Sequence, residues 1–373
     1  MPNKYTLKGS KSKVNFCETT MDKPKISIII IHYNTPHFLK TCLDGIFGQT
    51  YENIEVIFID NNSPDREGIE FVRDTYSHDP ELRHNKSLIV INNEDNLGYA
   101  KAANQGIKIA MEGNSEFLVI TNPDIIYTPE YFEKIVERIE KDPKIASITG
   151  KVYKYDFANK KPTNIIDTVG LFAYKSRRII DDGQGVEDVG QFDQEQEVFG
   201  ISGACPLYRR EAITDVKIGD EYLDENFFMY KEDVDLSWRF LLFGWKNLFY
   251  PKAIAYHGRG TGVIRRFTNK EVVENRKNLS KFQKKFSFRN QLLMEVKNEI
   301  PGNFFKDFFQ IVGKKILMFG YITIFEPYLW GSFLGFLKLL PATLKKRAEI
   351  MKRKKSSSKQ MSKHFGKKSK YEK

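Results

Sequence analysis

The chain has 373 residues, 41% of them hydrophobic, and a formal net charge of +11. That length holds one large α/β domain with an appendage, or two modest domains. Cys17, Cys42 and Cys205 are scattered and odd in number, which argues against a disulfide scaffold or cysteine metal site and fits a reducing compartment. The charge excess is local: residues 345–373 carry 13 Lys or Arg against Glu349 and Glu372. The rest is neutral overall, so the body is not a polyanion binder and no nucleic-acid partner is expected.

Residues 1–24 are polar and Lys-rich without an apolar core segment, and read as a disordered leader rather than a signal peptide. Ile26–Ile31 is almost wholly β-branched, as a strand buried on both faces should be. Phe38, Leu39, Leu43, Ile46 and Phe47 then follow helical spacing. Ile54–Asp60 is a second buried strand, ending in the polar turn Asp60-Asn61-Asn62-Ser63-Pro64. Leu88–Ile91 is a third strand, Gly98–Met111 a helix with small residues, and Phe117–Thr121 a fourth strand. Thr128-Pro129 reads as N-cap and first residue of another helix, with Phe132, Ile135, Val136 and Ile139 on one face. This βαβα order implies an α/β fold with a mostly parallel, Rossmann-like sheet. Ligands of such sheets sit at strand carboxyl ends. His32-Tyr33-Asn34, Asp60-Asn61-Asn62 and Asn122-Pro123-Asp124 all fall there.

Residues 151–230 are less regular and suit loops that shape an acceptor pocket. Leu236–Phe243 is helical, with Gly244 as terminator. Asn247–Tyr250 and Ala253–Tyr256 read as short strands delivering His257. From Asn303 two apolar blocks, Ile316–Phe325 and Tyr328–Leu337, flank Glu326-Pro327. Neither block is the roughly 20 residues a span needs. They predict C-terminal amphipathic helices, interfacial or re-entrant at a membrane, followed by a polybasic tail. The alternative is a helical pair packed on the body. Four regions result: leader 1–24, catalytic domain 25–300, membrane-associating segment 301–344, and a basic disordered tail 345–373.

Tyr230–Leu236 carries the chemistry most densely, with Glu232, Asp233 and Asp235 beside apolar surface. A carboxylate so placed is harder to ionise and is held near the pKa a general base needs. Asp235 and Arg239, four apart, suit a plain helix pair. No Gly-x-Gly-x-x-Gly follows the first strand and no P-loop occurs, which argues against a dinucleotide dehydrogenase or a P-loop NTPase.

Taken in order, Ile28–Asn34, Phe58–Ser63, Asn96–Asn104, Asn122-Pro123-Asp124, Gly203-Ala204-Cys205, Glu232-Asp233 with Trp238 downstream, and His257 resemble the inverting family 2 glycosyltransferases of the GT-A fold. The nearest resemblance is to bacterial rhamnosyltransferase-like enzymes of surface polysaccharide synthesis, over about residues 25–300. It implies transfer of a sugar, with inversion, from a nucleotide-diphosphate donor to a hydroxyl. It implies a dTDP- or UDP-sugar donor, rhamnose or a hexose, and a lipid-linked or glycan acceptor. The enzyme would lie in the cytoplasm, peripheral to the inner face of the membrane. Asp60 would accept from the N3–H of uracil or thymine, flanked by Tyr33, Asn34 and Asn62. Asn96, Gly98, Ala102 and Asn122 would complete the donor site. Asp124, at a degenerate Asp-x-Asp position whose first acid is Asn122, would hold Mg²⁺ or Mn²⁺ with His257. Asp233 would be the base, with Glu232 beside it and Gly203, Ala204 and Trp238 toward the acceptor. Arg289-Asn290 resembles a pair near the membrane face of these enzymes, where Arg would suit a lipid diphosphate. The rival class is a non-catalytic nucleotide-sugar-binding scaffold.

Overall fold

The computed structural model describes residues 23–76, 86–258 and 276–371; most of the leader therefore lies outside the described residues. In the first half β1 (Ile26–His32), α1 (Pro36–Phe47), β2 (Ile54–Asp60), α2 (Glu67–Tyr76), β3 (Lys86–Asn92), α3 (Tyr99–Glu112) and β4 (Phe117–Thr121) alternate. Then come β5 (Ile125–Tyr127), α4 (Tyr131–Glu140), β6 (Ile145–Asp156), β7 (Lys161–Thr168), β8 (Leu171–Tyr174), β9 (Ile179–Asp181), β10 (Gln196–Val198) and β11 (Leu207–Arg209). The last part holds α5 (Arg210–Asp215), α6 (Glu232–Leu242), β12 (Lys246–His257), α7 (Lys281–Asn298), α8 (Pro301–Lys306), α9 (Phe308–Phe325), α10 (Trp330–Arg353), α11 (Ser358–Met361) and β13 (Phe365–Gly366).

The main sheet runs β10-β12-β6-β11-β4-β1-β2-β3. Strands β4, β1, β2 and β3 are mutually parallel, and β11 is antiparallel to both β4 and β6. The isoleucine-rich sequence of β1 has a direct cause. Ile29 and Ile31 enter the cluster under α3, α6 and α7, while Ile26, Ile28 and Ile30 enter the cluster under α1, α2 and α4. Both faces are covered, so both must be apolar. Each such side chain contributes about 1.5–3 kcal/mol.

Three local expectations change. The helix expected from Thr128 starts at Tyr131, because the Thr128 hydroxyl and amide donate to Ile254 O (2.7 and 3.2 Å) and Pro129 O accepts from Thr50 N. The two strands before His257 are one, β12, with an irregularity between Phe249 and Ile254. The first apolar block extends back to Phe308, so among the described residues α9 is the one helix long and apolar enough, by length and composition, to cross a membrane.

The tail is not disordered. Ser358–Met361 is helical, Phe365-Gly366 pairs in parallel with Ala173-Tyr174 of β8, and Met361 and Phe365 are buried. The buried Arg177 guanidinium lies 3.9 Å from the centre of the Phe365 ring and bridges Glu299 and Asp307. Apolar anchors inside a basic stretch give it something to fold around. The segment from residue 301 is likewise no detached appendage. Phe336 and Ile350 join the same core cluster as α6 and α7, and Arg347 Nη1 donates to Val296 O and Glu299 O at 2.7 Å.

Candidate active site

Parallel pairing places His32, Asp60 and Asn92 side by side at the carboxyl ends of β1, β2 and β3. Asp60 is buried. Its Oδ1 accepts from His32 Nδ1 (2.8 Å) and Ser63 Oγ (2.6 Å), and its Oδ2 from Ser63 N (3.1 Å). Thr35 N donates to His32 Nε2 at 3.2 Å, so Nδ1 carries the proton. Burial alone would raise the Asp60 pKa. The hydrogen bonds from His32 and Ser63 outweigh it and hold the carboxyl below its usual range. Asn34 and Asn62 adopt positive φ (54° and 63°), and Tyr33 is exposed. Asn61 organises the neighbouring turn: its Oδ1 accepts from Asn93 Nδ2 and Leu97 N (3.1 Å each), and its Nδ2 donates to Asn96 Oδ1 at 3.0 Å.

Two strands along, β4 ends at Asn122-Pro123-Asp124. The short strand β5 then pairs antiparallel with β12, with Ile125 opposite His257. This pairing brings together residues 133 positions apart: His257 Nε2 lies 3.3 Å from Asp124 Oδ2. On the other side His257 Nδ1 lies 2.7 Å from Asp167 Oδ2. Burial lowers the His257 pKa, but the two carboxylates more than offset it and lift it to about 9. Among the described residues no three His, Cys, Asp or Glu side chains form a complete cage. Asp124 and His257 nevertheless fit a hard divalent ion that takes its other oxygens from phosphate and water. Asp167 supports the imidazole from behind, as carboxylates commonly do for metal-binding histidines.

Glu232 and Asp233 open α6. Before them the chain turns through Phe228, Tyr230 and Lys231, all with positive φ (63°, 70° and 76°). Each such non-glycine residue costs on the order of 1–3 kcal/mol, so the surroundings must hold it. Asp233 Oδ2 accepts from Gly203 N at 2.8 Å and Oδ1 from Val234 N at 2.8 Å. Burial raises the pKa of both carboxyls, and the Asp233 charge adds to the rise at Glu232.

A cavity of about 1020 Å³ joins these groups. Asn122, Asp124, Gly203, Ala204, Glu232, Asp233 and His257 all line it. The Asp60 cluster, with Tyr33, Asn34, Asn62 and Asn96, is not in that lining. It connects to the cavity through His32, which bonds Asp60 and accepts from the amide of Thr35, a lining residue.

Several expected residues sit elsewhere. Trp238 is buried on α6 between Phe199 and Phe365 and does not line the cavity. Its spacing from Asp233 puts it on the core face of the helix. Ala102 is fully buried in the core. A Cβ on Gly98, whose φ is +79°, would come within 2.4 Å of the Phe228 ring, so this glycine admits Phe228 rather than a ligand. Arg289 Nη2 donates to Asn226 O (2.8 Å) and Phe227 O (3.1 Å), and its guanidinium stacks on Phe286; it is committed to the protein rather than to a lipid diphosphate. Asp235 does pair with Arg239 at 3.0 Å, and also with Lys297 at 3.0 Å. Tyr99, Arg178, Asp181 and Asp167 were not singled out from the sequence. Only strand pairing brings Asp167 to His257, and no local pattern marks it.

The class these features define is explicit in comparisons with known proteins. Residues 27–216, half of the chain, match the family described as Glycosyl transferase family 2, and the chain belongs to that family. Poly-beta-1,6-N-acetyl-D-glucosamine synthase of Staphylococcus aureus (strain COL) is 24% identical over 235 residues, 62% of this chain and 49% of that protein. Glycosyltransferase GlyG of Streptococcus pneumoniae serotype 4 is 33% identical over 132 residues, 35% of this chain and 40% of that protein. The chain thus spans half or less of these curated relatives. The solved structure of GalNAc-T7 with UDP, GalNAc and Mn²⁺ has a TM-score of 0.51 at 15% identity, covering 74% of this chain and 52% of that one. At that identity it shows the shared fold.

Proposed function

We propose that the chain is an inverting glycosyltransferase that moves a sugar from a pyrimidine nucleotide-diphosphate donor to a glycan or lipid-linked hydroxyl at a membrane surface. The carrying observation is a single cavity with Asp124 and His257 on one wall and Asp233, fixed on the Gly203 amide, on another. Asp60 sits two strands from the Asp124 turn, roughly 10 Å along the sheet, a separation suited to base and diphosphate of one nucleotide. Asp60, held ionised, accepts from the ring N–H of the base. Asp124 and His257 hold Mg²⁺ or Mn²⁺, which when bound offsets charge developing on the departing diphosphate. Asp233 takes the proton of the acceptor hydroxyl as that oxygen attacks the anomeric carbon from the face opposite the leaving group. The name of the staphylococcal relative favours an N-acetylhexosamine as the transferred sugar; a UDP-hexose and dTDP-rhamnose are the rival donors.

Thermal-shift screening with UDP, dTDP and GDP, each with and without Mn²⁺, followed by assays of diphosphate release from the matching sugars, tests this. Stabilisation by a pyrimidine diphosphate that deepens with Mn²⁺ is expected. No response to any nucleotide overturns the proposal.

The membrane part is supported by α9 and α10, where Phe309, Leu317, Ile324, Phe325 and Leu334 are each at least 65% exposed, with Lys338 and Lys345 exposed nearby. Such apolar area beside basic charge suits an anionic bilayer surface. Removing residues 303–373 is a poor test, because it strips Phe336 and Ile350 from the core. The triple change Phe309→Ser, Leu317→Ser, Ile324→Ser leaves that core intact. It is expected to weaken flotation with phosphatidylglycerol-containing vesicles by about 100-fold or more, with unchanged Tm. Unchanged flotation rejects the membrane role.

A further inference from the structure

We propose that Asn290 is a positioning residue for transfer: its buried carboxamide holds the left-handed turn that delivers Asp233 to the cavity. The inference rests on Asp233 being the base. Asn290 lies on α7 and is fully buried. Its Nδ2 lies 2.9 Å from Phe227 O, 2.8 Å from Met229 O and 2.9 Å from Tyr230 O. Two amide hydrogens thus serve three carbonyls. Its Oδ1 accepts from Arg289 Nε at 3.1 Å.

Backbone carbonyls buried in this turn need hydrogen-bond partners. Phe228 O is taken by Ala100 N at 3.0 Å, and Lys231 O by Asp235 N at 2.9 Å inside α6. Phe227 O also receives Met229 N at 2.7 Å. Met229 O and Tyr230 O are left to Asn290. Among the described residues, the side chain therefore satisfies the part of the turn that no backbone donor reaches. Two residues after the turn, Asp233 Oδ2 meets Gly203 N at 2.8 Å. If Tyr230 and Lys231 relaxed to negative φ, the first turn of α6 would rotate and lose that contact. An aspartate has the same shape but presents only acceptors to these carbonyls. A serine keeps one donor.

The test compares Asn290→Ala, Asn290→Ser and Asn290→Asp with Leu293→Ala, which opens a cavity on the same helix without removing a hydrogen bond to the turn. Tm, donor Kd, kcat and KM are measured, with hydrogen exchange at residues 228–231. Asn290→Ala is expected to lose about 100-fold in kcat, with donor Kd within about threefold and faster exchange in the turn. Asn290→Asp should match it, and Asn290→Ser should fall between, which gives a readout even if the alanine variant folds poorly. Leu293→Ala should keep kcat within about threefold at a comparable loss of Tm. Asn290 variants that lose no more kcat than Leu293→Ala, or that lose kcat and donor affinity in parallel, overturn the proposal. Asp233→Asn separates the two layers. If it is inactive while Asn290→Ala is normal, only the positioning role fails; if it is itself normal, the base assignment fails and takes this inference with it.

Discussion

Asp233→Asn is expected to bind donor within about twofold of the wild type and to lose transfer by about 10³-fold or more. The amide oxygen can still accept from the Gly203 amide, so the loop keeps its shape. What is lost is a site that receives a proton. Glu232→Gln is the contrast. Burial and the neighbouring Asp233 charge raise the Glu232 pKa, so this carboxyl holds its proton while Asp233 works. Its replacement should cost far less turnover.

The pair also predicts a pH dependence. In the proposed role Asp233 must be ionised to act, and burial raises its pKa, so kcat should rise with pH along a limb above the ordinary carboxylate range. Stability should move the other way. The unfolded chain releases these protons at ordinary carboxylate pH while the folded chain still holds them. Folding stability therefore declines as pH climbs from that range through the raised values. Glu232→Gln removes part of the decline and should have a higher Tm than wild type at pH 8 but not at pH 4. Wild-type rates for Asp233→Asn, or a kcat limb in the ordinary carboxylate range, would reject this division of roles.

Asp124→Ala should abolish the Mn²⁺-dependent part of nucleotide binding and lower turnover by about 10³-fold. Manganese titration followed by electron paramagnetic resonance, with UDP or dTDP present, checks this without an acceptor. Asp167→Asn should be milder, about 10–100-fold in metal affinity, because it disturbs the imidazole and not a ligand oxygen. An Asp124→Ala protein that still binds Mn²⁺ with nucleotide would move the metal elsewhere.

The folded tail changes another expectation. Residues 345–373 at first suggest a dispensable solvated extension. In the structure Phe365 and Gly366 pair with β8, the Ser369 hydroxyl bonds Asp182, and the β8–β9 hairpin lines the cavity through Ile179, Ile180 and Asp181. Truncation would reach the cavity wall, so it no longer reports on the basic charge alone.

What this chain makes readable in one dimension is whatever depends on local periodicity and on strand ends. Apolar, β-branched runs announced β1, β2 and β4, since a strand buried on both faces has no other composition available. The polar clusters after them mark the carboxyl edge of the sheet, because parallel strands all end on one side, and Asp60, Asn122 and Asp124 lie at those strand ends. Periodicity alone cannot tell which face of α6 meets the cavity: Asp233 lines it and Trp238 lies in the core. It cannot show that Gly98 makes room for a phenylalanine 130 residues away, that Asp167 stands behind His257, or that Asn290 closes the turn before Asp233. Those contacts join segments 90 or more residues apart, or 60 in the case of Asn290. Long-range pairing of that kind is settled by the packing of the whole chain and leaves no periodic mark on its neighbours.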